Sequence, residues 1–186
     1  MRVLTVVLLA SVALAGTKKP TVAQRVERAH HLIDSYHGNA EVYRDASEEI
    51  AAALEEAPED PGVLVAAGRL ARKADHPDEA RAFVDKALSI DPKFVLALVQ
   101  KGFCFLDAHD VWGARHQAEA ALQVDPASLN AQLLILYCDV DDHENEKVGA
   151  LGATLGHQRK DLRVAKEALQ ALVDYHQSRG DFAQVD

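Results

Sequence analysis

The chain has 186 residues, of which 48% are hydrophobic and only 5% aromatic, and its formal net charge is −9. A chain of this length and hydrophobicity can bury a core, and one domain is the simplest count. The negative charge argues against nucleic acid as a partner, because phosphate binding requires a clustered basic face.

Residues 1–15 are typical of a secretory signal peptide. Arg2 gives a positive start, and an apolar run from Val3 to Ala15 ends in a small-x-small cleavage sequence. The run is too short to span a membrane, which takes about 20 apolar residues. We therefore expect cleavage after Ala15, a linker over 16–20, and a periplasmic or secreted protein with no membrane span after cleavage. An uncleaved membrane tether is the alternative.

From residue 21 onward the apolar residues have helical spacing without strand-like alternation, so the sequence predicts an all-α fold. Thr21 and Gln24 match a capping box at the start of the first helix, which Gly38 is expected to end. Asn39 and Asp60 are expected to cap later helices. Other helices are predicted over Val95 to Asp107, Val111 to Val124, Ala127 to Cys138, Asn145 to His157 and Leu162 to Ser178.

Two consecutive segments carry the same residues at the same offsets. A set of one Gly, two Ala and one Pro recurs 34 residues later, so that Gly68, Ala80, Ala87 and Pro92 correspond to Gly102, Ala114, Ala121 and Pro126. The alanines give the second helix of each segment a row of small residues. The Asp-Pro pairs end the segments, since the residue before Pro is pushed out of the α region. This period predicts helix-turn-helix units that bury their apolar faces only by stacking on one another.

This spacing resembles the tetratricopeptide repeat, in a protein of an exported bacterial type. The endings Ala87 to Pro92 and Ala121 to Pro126 are similar to the commonest ending in that family, whereas Val84, Lys101 and Ala118 depart from its pattern. The resemblance implies a right-handed superhelical solenoid of helix-turn-helix repeats. We expect this domain to span 21–186, with units near 27–60, 61–94, 95–128 and 129–160 and a terminal helix over 161–178.

In that family the first helices of the units line a concave groove that binds polypeptides. The resemblance places the following residues in the groove: Arg69, Arg72, Lys73, Val99, Phe103, Leu133 and Tyr137. Such a groove would be basic at one end and apolar along the middle, which suits a peptide with aliphatic side chains and an acidic group. The alternative is that the apolar residues are internal packing in a short, tightly wound stack.

Cysteines and histidines also recur with the repeat. Cys104 and Cys138 are 34 apart on neighbouring first helices, whose axes should lie about 8–10 Å apart. A disulfide needs Cα atoms within about 7 Å, so we expect two buried thiols, with a bridge as the alternative. His76, His109 and His143 fall in turns too widely spaced to share one metal ion. We therefore expect no metal and no cofactor.

The sequence has no nucleophile elbow, no phosphate-binding glycine loop and no His-Glu-x-x-His motif, so we expect no enzymatic activity. The leading hypothesis is a non-catalytic adaptor or scaffold of the cell envelope that binds another protein or peptide in the groove, oriented by Arg69 and Arg72. The alternative is a structural subunit or fragment of a larger envelope assembly, which oligomerises through the open ends of the solenoid. A metal-dependent enzyme that uses the histidine row is the third hypothesis.

Overall fold

A computed structural model describes residues 19–141, 145–157 and 161–179 of the chain. Within these ranges every regular element is an α-helix, which confirms the all-α prediction. The predicted signal peptide and His143 lie outside the described residues. The nine helices found in the described ranges are α1 (Val22–Ser35), α2 (Ala40–Glu56), α3 (Pro61–Lys73), α4 (Pro77–Ile90), α5 (Val95–Asp107), α6 (Val111–Val124), α7 (Leu129–Asp141), α8 (Asn145–Gly156) and α9 (Leu162–Arg179).

Side chains close the amino ends of the first three helices. The Thr21 hydroxyl accepts a hydrogen bond from the Gln24 backbone N–H at 3.3 Å, and Gln24 Oε1 accepts from the Thr21 N–H at 3.0 Å. Asn39 and Asp60 accept hydrogen bonds from first-turn N–H groups of α2 and α3. Each cap satisfies donors that have no partner within the helix, which fixes where these helices begin.

The turns after α3 and α5 have the same backbone conformation, 34 residues apart. Asp75 and His109 have φ angles of 61° and 59°, in the left-handed region that few non-glycine residues adopt. The following residue in each turn, His76 or Asp110, donates its N–H to a carbonyl in the preceding helix at 2.9 Å. The sequence repeat is therefore accompanied by a repeat of backbone structure in these two turns.

The helices form two layers. Each helix contacts the next one in the chain, and the odd-numbered helices also contact one another in the order α1, α3, α5, α7, α9. Between even-numbered helices there is no such backbone contact in the described ranges. The odd-numbered helices therefore form one continuous layer, and the even-numbered helices lie over the junctions between them. None of the helices in the described part of the chain has the length and hydropathy that a membrane-spanning segment requires.

The core is divided along the stack. Four apolar clusters follow one another, each built by three successive helices that start with an odd-numbered one. Fully buried representatives are Ile33, Leu64, Val99 and Leu133, one in each cluster. A hairpin therefore buries its apolar face against the next hairpin. The carboxylate of Asp139 is also buried, and its ion pair with Arg115 at 2.9 Å joins α7 to α6.

Small residues lie where the two layers meet. Ala80, Ala87, Ala114 and Ala121 are completely buried, while Pro92 and Pro126 are exposed in the turns that follow. A Cβ atom added at Gly68 would lie 3.2 Å from the carbonyl oxygen of Ala80. Gly152 and Gly156 of α8 meet α9 in the same way, since an added Cβ would lie 2.6 and 2.7 Å from Leu172 and Leu169. Glycine thus permits close approach in both halves of the stack.

We expect Gly102→Ala to destabilise the protein by about 1–3 kcal/mol, because it overfills a packed site. The added methyl would press on the Leu134 side chain and lie 3.3 Å from the Ala114 carbonyl oxygen. The matched control is Gly149→Ala in α8, where nothing lies within 4 Å of an added Cβ. That change should stabilise by up to about 1 kcal/mol through helix propensity. Urea unfolding followed by circular dichroism measures both, and equal stabilisation would contradict the described packing at Gly102.

Candidate functional site

One surface of the odd-numbered layer carries polar and aromatic side chains from five helices. Arg163 of α9 lies 3.9 Å from Asp34 of α1, although the backbones of these two helices make no contact. The layer therefore curves toward this side, which we call the concave surface. We define it by the following residues: His30 and Asp34, Arg69 and Arg72, Phe103 and Asp107, Asn130 and Tyr137, and Arg163 and Glu167, taken in pairs from α1, α3, α5, α7 and α9.

Arg69 connects α3 to α1 at one end of this surface. Its two terminal nitrogens lie 2.8 Å from His30 Nδ1 and 2.6 Å from Asp34 Oδ1. A guanidinium group only donates, so Nδ1 of His30 must accept and carry no proton. Burial, together with the nearby charge of Arg69, lowers the pKa of His30 to about 4. His30 is therefore neutral and acts as a hydrogen-bond acceptor at ordinary pH.

Arg72 connects α3 to α5 in the middle of the surface. Its Nη1 lies 3.2 Å from Asp107 Oδ2, and its guanidinium carbon lies 4.9 Å from the centre of the Phe103 ring. Phe103 in turn meets the Tyr137 ring edge to face, with centroids 5.9 Å apart. Cation–π and edge-to-face contacts of this kind stabilise by about 0.5–2 kcal/mol each. Side chains of α3, α5 and α7 thus form one continuous row of contacts.

Tyr137 lies between the charges of α3 and α9. Burial raises the pKa of its phenol to about 12, and the negative charge of Glu167 acts in the same direction. The phenol is therefore neutral, and its hydroxyl remains a hydrogen-bond donor as well as an acceptor. The half-buried ring presents an apolar body with one polar end, a combination that is common at protein interfaces.

Arg163 occupies the far end of the surface. Its Nη1 donates to Glu167 of the same helix at 2.9 Å, and its Nη2 donates to Asn130 of α7. Together with the approach of its Nε to Asp34, these contacts give one guanidinium group partners on α1, α7 and α9. The concave surface is therefore bounded at both ends by arginines that share the carboxylate of Asp34.

Four of the seven residues predicted for the groove lie together on the concave surface: Arg69, Arg72, Phe103 and Tyr137. Lys73 lies exposed at the end of α3. Val99 and Leu133 are completely buried and belong to the core beneath the surface. The middle of the surface is consequently aromatic, and the aliphatic residues predicted there are internal packing.

Other contributors were not among the predicted groove residues. These are His30, Asp34, Asn130, Arg163 and Glu167. The sequence contained a pattern that indicates two of the ion pairs on this surface, because Asp34 and Arg69 are 35 residues apart, as are Arg72 and Asp107. Opposite charges separated by one repeat plus one residue can pair between neighbouring first helices. The arginines predicted to make one end basic are therefore balanced by carboxylates of the same chain.

The remaining candidate sites lie apart from this surface. His76 and His109 are exposed in separate turns, and within the described ranges no three His, Cys, Asp or Glu side chains are grouped to hold a metal ion. No disulfide joins Cys104 and Cys138. Burial raises the pKa of the Cys104 thiol, which disfavours the reactive thiolate.

Comparison of the sequence with protein-family models and with curated proteins gives no match. The concave surface must therefore be interpreted from its own geometry. It carries an aromatic pair, a guanidinium group stacked on one of the two rings, and arginines whose charges are balanced by carboxylates.

We expect the stability of the protein to fall as the pH drops from about 6.5 to about 4, partly because of His30. In the unfolded chain this histidine takes up a proton below about pH 6.5, whereas in the folded protein it stays unprotonated until the pH falls to about 4. A pKa difference of this size corresponds to a loss of about 3 kcal/mol of stability at the acidic end of this range. His30→Gln, which keeps an acceptor for Arg69 without titrating, should reduce the fall.

The control is His31→Gln at the exposed neighbouring position. Urea unfolding at several pH values measures the effect. If His30→Gln and His31→Gln show the same pH dependence, His30 is not held neutral by its surroundings.

Proposed function

We propose that this chain is a tetratricopeptide-like, right-handed solenoid of about four helix-turn-helix units that holds another polypeptide on its concave surface. It acts as a non-catalytic adaptor or scaffold. The two-layered order of helices supports the solenoid, because each odd-numbered helix contacts the next odd-numbered one. The identical turns at Asp75 and His109 support it as well.

The observation that carries the binding function is the row formed by Arg72, Phe103 and Tyr137. Arginine and tyrosine are enriched among the residues that contribute most to protein interfaces, and such residues cluster near the centre of the contact. Here they lie in the middle of a surface built by five helices, with charged residues at both ends. An aromatic centre with a polar rim suits a polypeptide better than a small charged ligand.

The cell envelope is the proposed location, and another protein or peptide is the proposed partner. The location rests on the signal-peptide pattern of residues 1–15, with the mature protein periplasmic or secreted. Arg69 and Arg72 on the concave surface are each paired with a carboxylate, and the net charge of the chain is −9, which argues against nucleic acid as the partner. No cofactor or metal takes part in this proposed function.

We expect the double variant Arg72→Gln, Phe103→Ala to lose partners that the wild type retains in a pulldown from envelope extract. The matched control is Arg81→Gln, Trp112→Ala, which makes the same kind of change at exposed positions on α4 and α6. Circular dichroism should show equal helix content for all three proteins. Equal recovery of partners by both double variants would place the binding surface elsewhere.

A structural subunit of a larger assembly is the second candidate function, and one observation favours it. Leu162 and Leu169 of α9 are 75% and 48% exposed, on the last helix of the described stack. The terminal helix of a free-standing repeat protein normally has a polar outer face. An exposed apolar face at that end suits contact with a further helical unit, including a second copy of this chain.

If two copies of the chain associate through the α9 end of the stack, Leu162→Ser with Leu169→Ser should shift the mature protein toward monomer. Light scattering after size exclusion measures the mass over a range of concentrations. Ile90→Ser with Val124→Ser is the control, because these apolar residues are also exposed, at 44% and 43%, but lie on even-numbered helices. A monomeric wild type would exclude association with a second copy of this chain.

A further inference from the structure

The contact between Arg163 and Asp34 joins the first and last helices of the described stack. The two residues are far apart in the chain, and α1 and α9 have no backbone contact. Arg163 Nε nevertheless lies 3.9 Å from Asp34 Oδ2. Neighbouring helices of the odd-numbered layer contact one another through their backbones, whereas α1 and α9 meet through these two side chains. It spans the concave surface from one side to the other.

Each partner in this contact is held by its own neighbours. Asp34 accepts a hydrogen bond from Arg69 through Oδ1 at 2.6 Å, so Oδ2 is the oxygen that faces Arg163. Arg163 is held by Glu167 and Asn130. A charged side chain that is already held by a hydrogen bond loses little further freedom when it meets another charge. The contact is therefore preorganised on both sides.

The contact is also suited to reversible opening. The side chains of Arg163 and Asp34 are 28% and 33% exposed, so water and salt reach the pair. Ion pairs with this degree of exposure are weakened by screening, unlike pairs in a dry interior. α9 makes no backbone contact with α1 in the described ranges, so the packing that connects these two helices runs through α3, α5 and α7.

We propose that Arg163 and Asp34 form a bridge that closes the concave surface of the resting protein, and that α9 moves away from α1 when this bridge breaks. Closure narrows access to the Phe103 and Tyr137 rings, because these lie on α5 and α7, between α1 and α9 in the odd-numbered layer. Opening widens that access. The bridge is a property of the free protein, and it does not require that a polypeptide binds to the surface.

The test is a distance measurement by pulsed electron spin resonance on the full chain. Nitroxide labels are attached to non-canonical residues introduced at His31 and Lys166, which are exposed on α1 and α9. This labelling leaves both native cysteines unchanged. We expect one narrow distance distribution for otherwise wild-type protein at low salt. In about 1 M salt, where the Debye length is about 3 Å, the distribution should broaden and move to longer distances.

Two single substitutions break the bridge from opposite sides. Arg163→Gln and Asp34→Asn should each lengthen the mean distance by more than the width of the wild-type distribution, even at low salt. The double variant should give the same distribution as either single variant, because both remove one contact. Arg44→Gln is the matched control, since it removes the charge of an exposed arginine on α2 that pairs only locally with Asp45 and Glu48.

Each of the other outcomes would contradict the proposed bridge. If only Arg163→Gln lengthens the distance, Arg163 acts through Asn130 and the packing of α7 on α9. If only Asp34→Asn does so, the effect runs through Arg69 and the contact of α1 with α3. No change in high salt or in any variant would mean that the two helices are held by something else. No ligand is present in these measurements, so the result is independent of the pulldown that tests the adaptor function.

Discussion

The close approach of paired helices at glycine and alanine is the contact on which the rest of the structure depends. At Gly68 a side chain as small as a methyl group would press on the carbonyl oxygen of Ala80 in the facing helix. This seam lets α4 and α6 pack between odd-numbered helices, which contact one another in one layer. The concave surface exists because that layer is continuous and curved.

The chemistry of the concave surface is set by pairing within the chain. Arg69 and Arg72 each reach a carboxylate on a neighbouring odd-numbered helix, at Asp34 and Asp107 respectively. These ion pairs connect neighbouring hairpins and leave little net charge for a ligand. Recognition would then depend on the aromatic pair and on shape. A ligand that used the arginines directly would have to replace the internal carboxylates.

Much of the fold was predictable from short-range patterns. The helices expected over Val95 to Asp107 and Val111 to Val124 occur with these bounds, because turn residues and apolar spacing mark both ends clearly. The first helix ends at Ser35, before the expected stop at Gly38, whose φ of 86° places it in the turn that follows. In α8, Gly152 and Gly156 accommodate leucines of α9, a role that the low helix propensity of glycine does not reveal.

The candidate site was predictable only in part. The resemblance that rests on the repeat spacing placed Arg69, Arg72, Phe103 and Tyr137 on one face, and the structure brings them together there. It could not separate that face from the layer beneath it, and Val99 and Leu133 are buried there. The contact of Arg163 with Asp34 depends on the total curvature of the stack. Curvature accumulates from small rotations at each hairpin, and it cannot be predicted from a local sequence pattern.

The position of the single tryptophan has a practical consequence. Trp112 is 78% exposed at the start of α6, where its ring stacks on His116 with centroids 5.8 Å apart. An indole that is already in water changes its surroundings little when the chain unfolds. Its intrinsic fluorescence will therefore be a poor monitor of global unfolding, but a protein that docked against α6 would quench it or shift its emission.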